Sequence, residues 1–274
     1  MLRSRIIPCL LVHNKGLVKT VNFKDAKYVG DPLNAVKIFN EKEVDELIVL
    51  DIDATVEKRG PNFQMIKNLA TECRMPLCYG GGVTSPKQAK QIIKLGAEKV
   101  ALSAAAVENP DLIKAIGDEV GVQSVVVVID VKKKGLFNKY EVFTHNGKKA
   151  TGLNPVEFAK KMETIGVGEI VINSIDQEGT MKGYDFKLFE SIRNVITTPL
   201  TIMGGAGSAD HIKDTINKFG IIGAAAGSLF VFKGKYRAVL IQYLDKTQLF
   251  KQKYRAVITP PCYLFLSSLL SGIV

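Results

Sequence analysis

Eight short apolar runs, rich in Val, Ile and Leu, recur along the chain, and longer stretches with helical spacing lie between them. The runs cover residues 6–12, 46–51, 76–79, 99–103, 124–131, 169–173, 199–203 and 221–225. Most are almost continuously apolar. A half-exposed strand alternates apolar and polar residues, so these read as strands covered on both faces. Helical patterns fall at 31–40, 85–95, 109–116, 155–165, 185–194 and 209–218. Asn109-Pro110 and Asn154-Pro155 each set a capping residue before a proline suited to the first helical position. Eight strand–helix units in one chain predict an α/β fold, the (β/α)8 TIM barrel, with a doubly wound sheet as the alternative.

The chain also reads as duplicated. Asp51 and Asp176 each follow a strand. Gly80-Gly81-Gly82-Val83 follows the third strand and Gly204-Gly205-Ala206-Gly207 the seventh. Ser103 and Ser228 come one strand later in each case. The offsets are 124 to 125 residues, half a barrel.

In such a barrel the C-terminal ends of the strands and the loops after them build the site. The residues falling there are 9–11, Lys19, Asp51, 80–82, Ser103, Asp130, 173–176, 204–207 and Gly227-Ser228. Glycine-rich turns before a helix let backbone N–H groups approach an anion closely. Two such turns half a barrel apart point to two phosphates at opposite sides of one mouth, the alternative being tight turns alone. Asp130 ends the run Val125-Val126-Val127-Val128-Ile129. A carboxylate there is costly unless it faces a polar mouth, which makes Asp130 a candidate acid or base, or a structural acid paired with Lys or an amide.

Lys plus Arg exceeds Asp plus Glu by ten. The lysines are scattered apart from Lys132-Lys133-Lys134, so the charge fits solvated surface and an anion pocket, not nucleic acid. The cysteines Cys9, Cys73, Cys78 and Cys262 have no zinc or redox spacing, and no signal-peptide pattern opens the chain. Reduced thiols in the cytoplasm are expected. The apolar run after Pro260-Pro261 is 13 residues, short of the ~20 that a membrane span needs.

The chain carries Arg5-Ile-Ile-Pro-Cys-Leu10, Gly30-Asp31-Pro32, Asp45-Glu46-Leu47, Leu50-Asp51-Ile52 and Gly80-Gly-Gly-Val83. Ala105-Ala106-Val107-Glu108-Asn109-Pro110, Gly179-Thr180, Gly183-Tyr184-Asp185 and Gly204-Gly-Ala-Gly207 follow. In these motifs the sequence resembles the cyclase subunit of imidazole glycerol phosphate synthase, the HisF family. The resemblance covers about residues 1–250, and 251–274 reads as an extra apolar tail. It implies a (β/α)8 barrel with half-barrel symmetry that pairs with a glutaminase subunit as a heterodimer. Ammonia released there crosses the barrel core and attacks a substrate with two phosphates. No metal and no organic cofactor are implied.

Residue by residue, the resemblance makes Asp130 the second catalytic aspartate. It makes Arg5, Glu46, Lys99 and Glu169 the charged ring at the ammonia entrance, and Glu98 an acid facing the glutaminase. Gly81, Gly82, Gly205, Gly207, Gly227 and Ser228 match phosphate-binding positions. Lys19, Asp51, Ser103 and Asp176 complete the expected substrate-binding set. One departure stands out: Leu11 occupies the place of the first catalytic aspartate, and leucine transfers no proton. Losing a positioned acid or base typically costs about 10²–10⁴-fold. Glu178 stands where the family has Asp, Met203 where it has Ser, and Tyr79 is bulkier than usual. Three roles fit this residue set. The first is a synthase subunit delivering ammonia to another acceptor, such as an acetamido sugar of surface-polysaccharide synthesis. The second is the histidine-pathway cyclase with Asp51 or Asp176 as stand-in. The third is a non-catalytic scaffold that docks the glutaminase.

Overall fold

The computed structural model describes residues 3–244. The expected tail, 251–274, and Cys262 lie outside them. Eight parallel strands form a closed ring, because each pairs with the next and the last pairs with the first. They are β1 (Arg5–His13), β2 (Leu47–Asp51), β3 (Leu77–Gly80), β4 (Lys99–Leu102), β5 (Val125–Lys134), β6 (Glu169–Ser174), β7 (Leu200–Met203) and β8 (Gly223–Ala226). Every apolar run predicted as a strand is one, and the predicted (β/α)8 barrel is the fold.

Among the described residues, seven helices of eight or more residues cover the ring: α1 (Pro32–Glu41), α2 (Phe63–Glu72), α3 (Pro86–Lys94), α4 (Asp111–Val120), α5 (Pro155–Ile165), α6 (Phe186–Arg193) and α7 (Ala209–Phe219). Six begin at a polar side chain that accepts a first-turn N–H, from Asp31, Asn62, Ser85, Asn154, Asp185 and Ser208. Each such cap satisfies a donor the helix cannot. The Asn154-Pro155 start is therefore as predicted. The Asn109-Pro110 start is not. Pro110 itself takes the cap position of α4 with helical dihedrals and no side-chain cap, while Asn109 ends the short helix Ala104–Glu108. The carbonyl of Asn109 accepts from Leu112 instead.

Two hairpins rise from the C-terminal end of the ring. Gly16–Val21 pairs antiparallel with β1 and with Lys24–Gly30. β5 runs on past Asp130 and pairs with Lys139–Thr144. Neither outer hairpin strand was read from sequence: five of the seven residues of Lys24–Gly30 are exposed, and Lys139–Thr144 opens on Lys139, Tyr140 and Glu141 and buries only its last three residues. Among the described residues no helix is long and apolar enough to cross a membrane.

Strand alternation sends every second residue inward. The interior is layered as a result. Arg5, Glu46, Lys99 and Glu169 lie at the N-terminal end. Ile7, Ile48, Cys78, Val126 and Val171 pack above them. Cys9, Ala101, Val128, Met203 and Ala225 continue the cluster, with Leu11 and Leu50 packed against its upper edge.

Candidate functional site

The two ends of the interior differ in chemistry. At the N-terminal end the four charges close into a cycle. Arg5 bonds Glu46, and it bonds Glu169 through Nη2–Oε1 at 2.7 Å. Lys99 Nζ lies 2.7 Å from Glu46 Oε1 and 2.8 Å from Glu169 Oε2. The Thr201 hydroxyl donates to Glu169. Glu46 and Glu169 are each 3% exposed. Burial works against every charge here. The hydrogen bonds and charges of the carboxylates still hold Arg5 and Lys99 protonated, and Arg5 and Lys99 hold Glu169 below the usual carboxylate range. Buried charges persist when alternating signs and hydrogen bonds compensate them. The four residues predicted as a ring form one. Glu98 is exposed at the same end, beside Lys99.

At the C-terminal end the interior opens into a cavity of about 530 Å³. Its walls include the two glycine turns, at Gly80–Gly82 and Gly204–Gly205, together with Ser103, Asp130, Lys19 and Gly227-Ser228. Gly82 has φ +70°, and a side chain there would meet the Arg59 carbonyl. Gly205 has φ +108°, and a side chain there would meet the Gly183 carbonyl. Glycine alone fits either turn without strain. The duplicated glycines thus mark two matching corners of one mouth.

Asp130 is set between two donors. Asn173 Nδ2 donates to Oδ1 at 2.8 Å and Ser103 Oγ to Oδ2 at 3.2 Å. Burial pushes its carboxyl up to about 6, against the opposing pull of those two hydrogen bonds. A carboxyl poised there can exchange a proton near neutral pH. Lys19 is 4% exposed, and its Nζ donates to the Cys9 carbonyl at 2.6 Å. Burial lowers its pKa from the ordinary lysine value.

The other predicted residues are placed differently. Asp51 lines the cavity, but its carboxylate is held by Arg59 at 2.7 and 2.8 Å and by the N–H groups of Asp53 and Ala54. Asp176 lies outside the cavity lining and accepts from the Lys133 N–H at 2.8 Å. Gly207 is likewise outside it, its N–H taken by His211 Nδ1. Leu11 and Met203 line the cavity, as does Glu178. Burial raises the Glu178 carboxyl, and its Oε2 accepts from the Phe23 N–H. Tyr79 needs correction as a mouth residue. It stands between inward Cys78 and Gly80, so its ring points outward, with its hydroxyl 3.4 Å from the Asn62 N–H. Sequence reasoning did not single out Arg59; it placed Asn173 at the mouth and Glu178 at a family aspartate position without naming what either touches. The basic pair Lys58-Arg59 after an acidic strand end was the available signal for Arg59, whereas the pairing of Asn173 with Asp130 comes only from the strand register.

Comparison with known proteins shows the family. The family described as histidine biosynthesis protein matches residues 5–237. A provisionally named imidazole glycerol phosphate synthase subunit hisF3 of Vibrio vulnificus is 55% identical over 243 residues, covering 89% of this chain and 94% of that protein. A provisionally named subunit HisF of Leptospira borgpetersenii is 53% identical over 253 residues, covering 91% and 100%. A provisionally named subunit hisF2 of Pseudomonas aeruginosa is 50% identical over 249 residues, covering 91% and 99%. The class is therefore that of the histidine-biosynthesis (β/α)8 barrels. Within it, the chain belongs to the HisF family.

Proposed function

We propose that this protein is the synthase subunit of a two-part glutamine amidotransferase, and that its acceptor differs from the histidine-pathway intermediate. A glutaminase subunit docks on the face bearing Glu98 and releases ammonia at the Arg5–Glu46–Lys99–Glu169 ring. The apolar interior carries the ammonia to the glycine-rich mouth. A phosphorylated or sugar acceptor sits there, with an acetamido sugar as the leading candidate. In that chemistry nitrogen replaces the amide oxygen to give an amidine, the oxygen having first been activated by a separate ligase. Asp130 takes the proton that the attacking nitrogen sheds.

The observation that carries this reading is the position of Leu11. Its side chain packs on the apolar core beside Leu50 at the upper edge of the interior, the place where the resemblance expects an ionisable group. The entrance ring is complete while the mouth lacks one of two proton-transfer groups. The cyclase alternative needs a stand-in. Asp51 is a poor one because Arg59 and two backbone N–H groups hold it. Asp176 does not line the cavity. The relatives named hisF2 and hisF3 carry copy numbers, which suits a paralogue with a separate task.

The test is turnover of the histidine-pathway intermediate by purified protein, with high ammonium at mildly alkaline pH replacing the glutaminase. The expected result is no imidazole glycerol phosphate from protein that still binds and stimulates its glutaminase. Robust cyclisation would overturn the changed-acceptor reading. Failure to bind any glutaminase would overturn the conduit as well.

A further inference from the structure

The four charges of the entrance ring do not come from evenly spaced strands. They come from β1, from the residue before β2, from β4 and from β6. The arc from β6 back to β1 crosses β7 and β8, which carry no charged residue. Thr201 of β7 and Gly223 of β8 fill it. The register pairs Arg5 with Gly223 and Gly223 with Thr201, so the three lie in one row across neighbouring strands. Gly223 has no side chain, and the Arg5 guanidinium reaches past it to Glu169 and Thr201.

Thr201 is fully buried, and its hydroxyl is engaged on two sides. It donates to Glu169 Oε1 and accepts from Arg5 Nη2 at 3.5 Å. Arg5 Nη2 also donates to the same Glu169 oxygen at 2.7 Å, so the three groups close a triangle. Arg5 Nη1 and Lys99 Nζ donate to Glu169 Oε2 at 3.2 and 2.8 Å. Glu169 thus receives four donors, the full capacity of a carboxylate. Glu46 receives two among the described residues, from Arg5 and Lys99. A side chain on Gly223 would overlap the Thr201 hydroxyl. Gly223 is outside the left-handed region, so its backbone does not demand glycine. Room for the hydroxyl does.

Valine would fill the volume of Thr201 as well, so packing alone does not ask for a hydroxyl there. Hydrogen bonds with an ionised partner are the strong ones, and this hydroxyl has two such partners. We propose that Thr201 is a positioning residue of the entrance ring, which fixes Glu169 and Arg5 and so holds the ring shut across the barrel interior. Without the hydroxyl, Glu169 is held only by the long side chains of Arg5 and Lys99, and the interior opens to small solutes from the N-terminal end. The proposal rests on the reading of the interior as a conduit only for the identity of what passes the ring.

Two interior thiols report on the ring. Cys78 packs just above it and does not line the mouth cavity, whereas Cys9 does. The full chain is treated with methyl methanethiosulfonate, and labelling of each cysteine is followed over time by peptide mass spectrometry. Cys78 should react slowly in the natural chain. Thr201→Val keeps the shape without the hydroxyl and should speed Cys78 labelling about tenfold, with the Cys9 rate unchanged. Thr201→Ser should restore the slow rate. Equal Cys78 rates in the natural chain and Thr201→Val would overturn the proposal. So would Thr201→Ser reacting as fast as Thr201→Val, or Cys9 and Cys78 rising together, since both mark loosened packing instead of an opened ring. Binding of glutaminase subunits from the same genome is measured alongside. The Cys78 response without glutaminase binding would keep Thr201 as the anchor of the ring and remove the conduit. Glutaminase binding without that response would keep the conduit and overturn the role of Thr201.

Discussion

The Lys19 ammonium occupies the space that a side chain at Gly227 would need. Lys19 comes from the first hairpin and Gly227 from the turn after β8, so the two halves of the mouth meet at this contact. The Gly227 backbone, with φ −108° and ψ −70°, is open to any residue. Crowding against Lys19 is thus the main obstacle to a larger residue. Gly227→Ala should push the ammonium off the Cys9 carbonyl and cost about 1–3 kcal/mol, the usual range for overpacking. In a Lys19→Ala background the same change should cost under about 0.5 kcal/mol. Denaturant unfolding of the four proteins in the cycle measures the coupling, and equal costs in both backgrounds would mean the contact does not matter.

The charged ring should be sensitive to imbalance more than to the loss of any one residue. Glu169→Gln leaves Arg5 and Lys99 sharing Glu46 alone. Breaking a buried pair costs about 3–5 kcal/mol. Arg5 and Lys99 keep 26% and 19% side-chain exposure, so about 2–3 kcal/mol is expected here. Adding Lys99→Met restores one cation to one anion and should recover part of that loss. Urea unfolding checks it. A double variant less stable than the single would refute charge balance as the rule.

The barrel was legible because its strands are covered on both faces. Each therefore shows as an apolar run with few polar interruptions, and the duplicated glycines announce the half-barrel symmetry. The hairpin strand Lys24–Gly30 left no such mark, with five exposed residues out of seven. Helix α2 was missed because only Ile66 and Leu69 of it are buried, too few for a clear period. At the mouth, sequence placed Asp51 on the correct loop but not its partner. Arg59 reaches it from an irregular turn eight residues on, and no period links the two. Asn173 fell within a stretch singled out at a strand end. Its importance depends on the β5–β6 register, which is a tertiary fact.

Asp130 should make the protein less stable as pH rises. Its folded-state carboxyl titrates near about 6 because burial disfavours the charged form, against about 3.9 in an unfolded chain. A raised carboxyl contributes stability that is complete below the unfolded value and lost as pH climbs through the folded one. The difference of about two units corresponds to roughly 3 kcal/mol at most. Asp130→Asn keeps the shape without the charge. It should raise the melting temperature by a few degrees at pH 8 and leave it unchanged near pH 4. Calorimetry at the two pH values decides, and equal shifts at both would show that the charge carries no such penalty.

Leu11→Asp places a carboxylate where Leu11 now packs on the apolar core. Burial should raise its pKa, so the variant should lose about 2–4 kcal/mol at pH 8 and recover much of it toward pH 5. The same substitution supplies the proton-transfer group that the resemblance expects, worth about 10²–10⁴-fold when a substrate is correctly seated. Seating is the obstacle. Met203 fills the cavity wall where the family has serine, and Glu178 reaches further than the family's aspartate. The expected outcome of an ammonium-driven assay is that Leu11→Asp forms no imidazole glycerol phosphate. Cyclisation appearing in the variant and absent from the natural chain would mean that the mouth still accepts the histidine-pathway intermediate. The change of acceptor would then rest on one residue rather than on the whole mouth.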